Sequence, residues 1–582
     1  MTTHHAHFTD VAANCFWNGL YRESALVEIV SKEATKYLCA PIRDGKLIIV
    51  EVLSESSTGI NRYSPSIELR NSRGDYAETL SFQQACELII ANDDIVGSID
   101  ATQRKQFLGA VSESHRNTWV ALEQYGQSLG DQQTSFEESE QSLYVGHSLH
   151  PAPKSRSNLS LEISKQLSPE LKANFALRWF AVRNEYVFGG SATGSDWREY
   201  VKQLQVSETT LPDTAKPYLN SAGWQVLPMH PWQATQLLAL PQVQELTNSG
   251  KLIDLGFGHS TWFATSSTRA IYNPTAPFML KFSLSVKLTN SIRLLSEKEV
   301  KRGTALADIC QSLSEDARKY FANGLSIIHE PSYFGLKDNK GEVIDESLAT
   351  VRDNPFVVDD QQPMKPHGVL ATLCQQTPYK QSGYALSNEL LMLAHRNQAD
   401  AETLATQWFE AFCDNVVVPI FELQSQLGIV LLAHQQNIVV ELELEQGMPT
   451  KGYFRDCQGV GFTKLAFEHF PQLGNPETTE NYWDRAKVNR YFPYYLILNS
   501  CYGVIASLSP LVEEAILFDL LKQRLTQLYQ SAPADTDCLH YVLNSDSLCC
   551  KGNFYCYLQG FNENSIPDPS VIYFELPNYL SR

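Results

Sequence analysis

Hydrophobic and polar positions recur along this chain with two different periods. Helical spacing of apolar residues marks four stretches, 10–23, 100–130, 384–427 and 481–530. Strand-like alternation marks two others, 38–53 and 60–70, and antiparallel hairpins are predicted at 255–290 and 429–460. The pattern therefore predicts a mixed α/β (α+β) fold with antiparallel sheets.

One alternating stretch is unusual because its polar positions are hydroxyls and ammonium groups. Every second residue from Leu280 to Leu288 is apolar, and the residues between and after them are Lys281, Ser283, Ser285, Lys287 and Thr289. On one continuous strand, Lys281, Lys287 and Thr289 are expected to share a face. For the strand alone, the favoured interpretation is the solvated side of an antiparallel sheet.

The segments around this strand favour an anion site instead. "TSSTR", Thr265 to Arg269, places four hydroxyls in a row before an arginine, and Arg293 follows the strand. Arginine and lysine donate charge-assisted hydrogen bonds to phosphate or carboxylate oxygens, and hydroxyls donate weaker ones. We expect the "TSSTR" loop to fold over the face that carries Lys281.

Two sections of low hydrophobicity divide the chain, 130–160 and 337–368. The first is acidic and then basic, and the second contains three prolines. A single core stops growing near ~250–300 residues, so 582 residues require several subdomains. We predict three, 1–145, 146–365 and 366–582, with the last mostly helical.

The amino-acid composition argues against several classes of binding partner. The formal net charge of −19 argues against a nucleic-acid binder, and a small anionic ligand would need a local basic pocket. No window approaches ~18 uninterrupted apolar residues, so no membrane span is expected. The first residues show no secretory signal, and the twelve scattered cysteines are expected to be reduced core residues without zinc, in a cytoplasmic protein.

Two further motifs contain histidines. "GHSLHPAPKSR" carries His147, His150, Lys154 and Arg156, and a polyphosphate clamp and an exposed basic loop are equally favoured. Metal binding by its histidines is disfavoured because the neighbouring cations would repel a metal ion. In "LPMHPWQ", 227–233, two prolines fix His230, and a packed turn is the favoured interpretation.

The hairpin at 428–456 brings polar side chains to both ends of a strand pair. His434, Gln436 and Asn437 follow a short apolar strand, and Arg455 and Asp456 follow the returning strand of the hairpin. Asn and Asp oxygens across a hairpin suit Mg²⁺ holding a nucleotide phosphate, and the alternative is a buried amide network. The H-x-x-N…D spacing resembles small-molecule kinases, but Gln435 and Gln436 cannot accept the proton that a kinase base must take.

Common nucleotide and hydrolase motifs are missing from the chain. There is no G-x-x-x-x-G-K-[ST], no complete dinucleotide fingerprint, no G-x-S-x-G and no H-E-x-x-H. Any ATP site must therefore be of an uncommon type.

Taken together, these segments resemble one family. "GHSLHPAPKSR", "LPMHPWQ", "TSSTRA…KFSLSVKLTNSIR" and "AHQQN…GYFRD", in this order, are similar to the siderophore synthetases that work independently of nonribosomal peptide synthetases, the aerobactin-synthetase-like (IucA/IucC) family. The resemblance covers nearly the full chain. It implies a cupped hand of thumb, fingers and palm, corresponding to the three predicted parts, and a homodimer.

The resemblance also implies an ATP- and Mg²⁺-dependent ligase. Members activate a carboxylate, commonly of citrate, as an acyl adenylate with loss of pyrophosphate, and an amine, hydroxylamine or alcohol then displaces AMP. By motif position, the ATP contacts are His147, His150, Lys154, Ser267, Arg269, Lys281 and Gln436. The substrate contacts are Thr289, Arg293 and His434, the metal ligands are Asn437 and Asp456, and the catalytic candidates are Arg293, His434 and Lys281.

Three positions depart from the family pattern. Leu432 stands where members often carry Glu, which removes a carboxylate that could help to hold Mg²⁺. Ser148 replaces a usual Pro and Asn158 a common Gly.

Two alternatives to the ligase remain at this stage: a kinase-like phosphotransferase, which would form ADP, and a non-catalytic organic-acid binding protein.

Overall fold

The structure is a computed structural model of the chain. It describes residues 8–71, 73, 75–129, 135–157, 159–208, 211–288, 291–322, 324–358, 365–378, 382–479, 481–561 and 569–582.

The helices of the described residues are distributed along the whole chain. In the first half they are α1 (Val11–Glu23), α2 (Phe82–Ile90), α3 (Asp93–Val96), α4 (Ala101–Tyr125), α5 (Phe136–Gln141), α6 (Leu161–Leu167), α7 (Trp197–Ser207), α8 (Pro231–Leu238) and α9 (Pro241–Asn248). In the second half they are α10 (Glu297–Gln311), α11 (Glu315–Ala322), α12 (Leu370–Cys374), α13 (Ala385–Asn397), α14 (Ala401–Phe412), α15 (Val418–Leu427), α16 (Lys464–His469), α17 (Arg485–Pro493), α18 (Tyr502–Leu508), α19 (Glu514–Gln530), α20 (Asp537–Asn544) and α21 (Phe554–Leu558).

The strands concentrate in the first two thirds. Up to residue 264 they are β1 (Glu28–Lys32), β2 (Thr35–Pro41), β3 (Leu47–Ser54), β4 (Arg62–Arg70), β5 (Tyr76–Leu80), β6 (Arg156–Ser157), β7 (Asn174–Phe175), β8 (Arg178–Arg183), β9 (Val187–Ser191), β10 (Trp224–Met229), β11 (Leu252–Phe257) and β12 (Trp262–Ala264). Beyond it they are β13 (Ala270–Tyr272), β14 (Phe278–Phe282), β15 (Leu284–Leu288), β16 (Ser291–Arg293), β17 (Leu325–Ile327), β18 (Ser332–Lys337), β19 (Val343–Asp353), β20 (His367–Val369), β21 (Ile429–Val430), β22 (Ile438–Leu442), β23 (Pro449–Phe454), β24 (Gly461–Phe462), β25 (Ser547–Lys551) and β26 (Tyr573–Pro577).

The sheets confirm the predicted mixed α/β class with antiparallel pairing. An N-terminal meander runs β1-β2-β3-β4-β5, and a seven-stranded sheet has the order β7-β12-β13-β14-β19-β18-β9. The smaller sheets are β10-β8-β11, β16-β15-β6, β17-β23-β22-β20, β21-β24 and β25-β26. Both predicted hairpins form, β13 with β14 and β22 with β23.

The predicted helices are confirmed, with local reasons that the sequence shows. The side chain of Asp10 caps α1 by accepting a hydrogen bond from the amide of Ala13. The stretch 384–427 forms α13, α14 and α15, joined by a π-helical turn at Cys413–Val417. A second π-helical segment, Tyr494–Cys501, follows Pro493.

Three large apolar cores hold the elements together. One joins α1, the N-terminal meander and part of α4, and it includes Phe554 and Leu558 of α21. The second lies beneath the seven-stranded sheet, and the third packs the C-terminal helices against β22 and β23. The division at 1–145, 146–365 and 366–582 stays a prediction.

The boundary section predicted at 337–368 is wrong for residues 343–353, which form β19 inside the seven-stranded sheet. This strand has low hydropathy because it buries polar residues, among them Ser347, Thr350 and Arg352. Arg352 is neutralised by Glu330, whose carboxylate accepts a hydrogen bond of 3.1 Å from the guanidinium Nε.

The continuous polar-faced strand predicted from Leu280 to Leu288 is also wrong. The chain breaks at Ser283, whose hydroxyl donates to the carbonyl of Asp345 at 2.6 Å and accepts from the amide of Leu295 at 2.8 Å. Lys281 therefore lies in the seven-stranded sheet, and Lys287 lies in β15 of another sheet. The solvated-face interpretation fails too, because Lys281 is 2% exposed and Ser283 is fully buried.

His230 confirms the packed turn predicted for "LPMHPWQ". Its ring is fully buried, with centroids 4.5 Å from Phe175 and 6.1 Å from Phe282. Burial lowers the pKa of His230 to about 3. The imidazole is therefore neutral in the folded protein at neutral pH, and it lies outside the candidate site.

We expect His230 to make the protein less stable in mild acid. In the unfolded chain His230 is protonated below its ordinary pKa of ~6.5, whereas in the folded chain it stays neutral down to about pH 3. The free energy of unfolding therefore decreases as the pH is lowered from 7. At pH 5 the loss is about 2 kcal/mol. Denaturant unfolding at pH 7 and pH 5 measures it. His230→Leu should reduce the acid-dependent loss by about this amount, whereas the control His395→Leu, at an exposed position, should not; equal losses in all three proteins would contradict the assignment.

Candidate active site

A cavity of about 520 Å³ lies between the "TSSTR" loop, the "GHSLHPAPKSR" loop, the turn before β22 and the π-helical segment 494–501. Among the described residues that line it, two carry carboxylates, Glu170 and Asp456. Eight are basic: Lys154, Arg156, Arg269, Lys281, Arg293, Arg352, Arg455 and Lys551. Burial, together with the charge of Arg156, lowers the pKa of Lys154 to about 7, so this ammonium group is only partly protonated at neutral pH. A chain of net charge −19 thus concentrates positive charge in one cavity.

The cavity brings together every predicted site residue that the structure describes. These are His147, His150, Lys154, Ser267, Arg269, Lys281, Arg293, His434, Gln436, Asn437 and Asp456. Thr289 lies outside the described residues, and so does Asn158. Segments separated by more than 300 positions along the chain therefore converge as expected, although the role of each residue toward a ligand stays a prediction.

Lys281 forms the centre of a buried ionic network. Its ammonium group pairs with Asp456, lies 3.5 Å from the Glu330 carboxylate and donates to the Gln458 amide oxygen at 3.0 Å. Burial acts to raise the pKa of Asp456, but Lys281, Arg269 and Arg352 outweigh it and hold that pKa well below its usual range. Asp456 is therefore ionised at any physiological pH.

Two non-glycine residues of the cavity wall have left-handed backbone conformations. Thr268 in the "TSSTR" loop has φ of 67°, and Asp456 has φ of 81°. For a β-branched residue such as Thr268 this conformation costs about 1–3 kcal/mol. Strain of this kind is retained where the surrounding structure over-determines it, commonly at functional sites.

Arg269 and Arg293 lie side by side on this wall. The Nη1 of Arg269 lies 3.5 Å from the backbone carbonyl oxygen of Arg293 and 3.4 Å from that of Leu294. Burial, together with the charge of Arg269, lowers the pKa of Arg293 to about 10. An anion bound between the two guanidinium groups would relieve their repulsion.

The turn before β22 is locked by an ion pair that sequence reasoning missed. Arg455 donates to the carbonyl of Gln436 at 2.7 and 3.1 Å and to the hydroxyl of Ser266 at 3.2 Å. It also pairs with Glu140 of α5, which accepts from the amide of Ser266 at 2.8 Å. Glu140 belongs to the acidic run "FEESEQ", which carries no signal that separates this residue from solvated neighbours.

We expect Glu140→Gln to raise the KM for ATP about tenfold. The change keeps an acceptor for Ser266 but removes the charge that holds Arg455, so the "TSSTR" loop and the turn at Gln436 lose their common anchor. Initial rates at varied ATP measure the effect, and circular dichroism checks folding. Glu137→Gln on the same helix is the matched control, and an unchanged KM in a folded Glu140→Gln protein would refute the positioning role.

Two imidazoles in the cavity are neutral at physiological pH. Burial lowers the pKa of His147 and of His434 to about 4 in each case. The Nδ1 of His147 accepts from the amide of Leu149 at 3.1 Å, and its Nε2 lies 3.2 Å from the side-chain nitrogen of Asn499 in the π-helical segment. A neutral imidazole can accept a proton, so His434 is available as a base.

The "GHSLHPAPKSR" loop is buried, so its interpretation as an exposed basic loop is wrong. Lys154 and Arg156 are 8% and 5% exposed. Both approach Glu170: Arg156 forms an ion pair with it, and the Lys154 ammonium lies 3.6 Å away. The Glu170 carboxylate holds the two cations against the cavity.

Within the described residues, no group of three or more His, Cys, Asp or Glu side chains is placed to hold a metal ion. The twelve cysteines are free thiols, and most of them are buried. A metal ion in the cavity would therefore need oxygen ligands from a bound substrate in addition to Asp456 and Asn437.

No helix in the described part of the chain combines the length and apolar character that crossing a bilayer requires.

The structure gives no support to the kinase-like alternative. A kinase base must be a carboxylate that can take a hydroxyl proton. Of the two carboxylates among the described lining residues, Glu170 pairs with Arg156 and Asp456 pairs with Lys281. At the turn itself, Gln435 donates to the backbone carbonyl of Asn499 at 2.7 Å.

Comparison with protein families gives two matches along the chain. The model of the IucA / IucC family matches residues 135–375. A model described as a ferric iron reductase FhuF-like transporter matches residues 406–566.

Individual relatives match almost the whole chain. The N(2)-citryl-N(6)-acetyl-N(6)-hydroxylysine synthase of Vibrio mimicus is 42% identical over 575 residues, covering 98% of this chain and 95% of that protein. The Escherichia coli protein of the same name is 33% identical over 579 residues, covering 98% of each. The structure of ATP-bound aerobactin synthetase IucA from Klebsiella pneumoniae matches with a TM-score of 0.89 at 33% identity, over 98% of this chain and 99% of that one.

Proposed function

The chain belongs to the IucA/IucC family of siderophore synthetases and is an ATP-dependent ligase, and we propose that it joins citrate to N6-acetyl-N6-hydroxylysine through the α-amine of the amino acid. In the proposed reaction a citrate carboxylate oxygen attacks the α-phosphorus of ATP and pyrophosphate leaves. The amine nitrogen then attacks the activated carbonyl carbon, AMP leaves, and the ammonium proton is lost.

The observation that carries this proposal is the convergence of eight basic side chains in one cavity of an acidic protein. ATP and citrate are both polyanions, and two like charges 4 Å apart repel by ~4 kcal/mol at an effective dielectric of 20. Fixed cations offset this repulsion and let the two substrates approach within bonding distance. The "GHSLHPAPKSR" and "TSSTR" loops and β14 supply four of the eight, Lys154, Arg156, Arg269 and Lys281.

The polyphosphate is assigned to one wall of the cavity. Ser267, Arg269 and Lys281 contact its phosphates, with His147, His150, Lys154 and Gln436 beside them. The fit is supported by the positive charge of Arg269 and Lys281 and by the cavity volume of about 520 Å³, which lies in the usual range of ~300–1,000 Å³ for small-molecule sites.

Citrate is assigned to Arg293, His434 and Thr289. Arg293 stabilises the charge that develops on the α-phosphate, because a preorganised guanidinium in a water-poor site needs no reorganisation during the reaction. His434 is neutral and accepts the proton that the ammonium group loses in the second step.

Mg²⁺ is assigned to Asp456 and Asn437. Asp456 is ionised, and magnesium commonly uses one or two protein oxygens together with substrate phosphates, so this small ligand set fits the ion even with Leu432 in place of a carboxylate. When bound, Mg²⁺ supplies charge neutralisation of the phosphates. The homodimer and the cytoplasmic location remain predictions.

A substrate panel tests the proposed function. Citrate, α-ketoglutarate and other polycarboxylates are crossed with N6-acetyl-N6-hydroxylysine, a diamine and an amino alcohol, and nucleotides are separated by chromatography. We expect AMP only when citrate is present, with the fastest turnover for the hydroxylated, acetylated lysine. ADP in place of AMP would identify a phosphotransferase, and another preferred pair would replace the proposed substrates.

A further inference from the structure

The C-terminal segment contributes one side of the cavity that the assignments above leave unused. Lys551, Asn553 and Cys556 line it, and the π-helical residues Tyr494 and Tyr495 line it as well. The ring of Tyr495 lies 5.8 Å from that of His434. This side therefore adjoins the imidazole that is proposed to take the proton of the attacking amine.

The segment that carries Lys551 is held in place by the end of α1. The Glu23 carboxylate accepts hydrogen bonds from the amides of Asn553, Phe554 and Tyr555. Gly552 donates to the carbonyl of Ile572 at 2.7 Å, and a Cβ at this position would lie 3.0 Å from a Glu23 oxygen. The close approach of Glu23 favours a glycine here, and the hydrogen bonds to Glu23 and Ile572 hold the backbone that follows Lys551 at the end of β25.

Charges from several elements act on the two imidazoles of the cavity, and the Asp456 carboxylate opposes the cations at His434. The positive charge of Lys551 contributes, after burial, to the lowered pKa of both His147 and His434. Arg22 of α1 acts on His147 in the same way, and Arg293 and Arg455 act on His434. Lys551 is therefore part of a cationic surface around the two neutral imidazoles.

An amine that enters this surface as a cation is repelled, whereas an α-amino acid enters as a zwitterion. Its carboxylate can pair with a fixed cation, and its amine is one carbon away from that carboxylate. A lysine ammonium is well suited to this pairing as a compact point charge with three donors.

We propose that Lys551 binds the carboxylate of the amino-acid nucleophile and so makes the enzyme select α-amino acids over amines that lack a carboxylate. The inference rests on the proposed function. It adds the residue that binds the second substrate and the group of that substrate, its carboxylate, that the enzyme recognises. Lys551 places the α-amine beside His434.

The test compares N6-acetyl-N6-hydroxylysine with its decarboxylated analogue, N-acetyl-N-hydroxycadaverine. Lys551→Met keeps an unbranched side chain and removes the charge, Lys551→Arg retains a charge, and Lys464→Met on the exposed part of α16 is the control. For each protein, kcat/KM is measured for both amines, and citrate-dependent exchange of pyrophosphate into ATP is measured without any amine.

We expect wild-type protein and the control to prefer the amino acid by about 10–100-fold, the size expected for one charge-assisted contact. Lys551→Met should lose this preference while pyrophosphate exchange stays unchanged, and Lys551→Arg should recover part of it. A preference that survives in Lys551→Met would overturn the proposal. So would an equal fall in pyrophosphate exchange, which would place Lys551 on citrate or ATP. Absence of exchange in the wild-type protein would instead overturn the proposed function, so the two failures are distinguishable.

Discussion

Arg293→Ala will lower citrate-dependent pyrophosphate release by about 10²–10³-fold, the effect of removing one preorganised donor from a site where charge develops. Arg293 lines the same cavity as His434, and burial together with Arg269 lowers its pKa to about 10, so it remains charged at neutral pH. Its guanidinium therefore keeps the positive charge that would stabilise the transferring phosphate.

The measurement is the steady-state rate of pyrophosphate release with saturating ATP and citrate. Arg293→Lys keeps a charge but loses the planar fork of donors, and we expect it to recover only a small part of the rate. Arg318→Ala, at an exposed arginine, is the control and should behave as the wild-type protein does. If Arg293→Ala released pyrophosphate at the wild-type rate, the assignment of this residue would be wrong.

Lys281→Met will abolish measurable activity and destabilise the fold by about 3–5 kcal/mol, because removal of one partner leaves buried charge uncompensated. Lys281 is 2% exposed and holds both Asp456 and Glu330. Of these, Glu330 keeps Arg352 as a partner, so the uncompensated charge falls mainly on Asp456.

A double variant separates the two effects. Lys281→Met combined with Asp456→Asn removes both charges of the pair and should recover most of the free energy of unfolding that the single change loses, while activity stays absent. Denaturant unfolding and pyrophosphate release are measured on the same three proteins. Activity in the stabilised double variant would contradict the assignments of both Lys281 and Asp456, since neither side chain would then be needed for the reaction.

The fold was predictable where local pattern and tertiary packing agree. The helical spacing after Asp10 and the hairpin at 429–460 needed only periodicity and capping to be recognised. The break at Ser283 was not predictable, because the alternation continues through it. The break depends on hydrogen bonds of the Ser283 hydroxyl with the carbonyl of Asp345 and the amide of Leu295, which lie 62 and 12 positions further along the chain.

The sequence was sufficient to predict which segments form the candidate site, but not the buried ion pairs that hold them together. Hydroxyls, cations and histidines in three of the four motifs indicated an anion or nucleotide site, and the described members of these three do converge on one cavity. Glu140, Glu330 and Arg352 were missed because each lies in a stretch that is typical of a solvated surface or an ordinary strand. Their importance comes from buried partners, Arg455 for Glu140 and the Glu330–Arg352 pair beneath Lys281.

Oxygen labelling tests the central claim that the cationic cavity brings a citrate carboxylate onto the α-phosphorus of ATP. Citrate labelled with ¹⁸O in its carboxylates is incubated with the protein, ATP, Mg²⁺ and N6-acetyl-N6-hydroxylysine, and the nucleotide product is analysed by mass spectrometry. We predict AMP that carries one ¹⁸O atom per citryl amide formed. Unlabelled AMP, or ADP accompanied by labelled inorganic phosphate, would contradict the account.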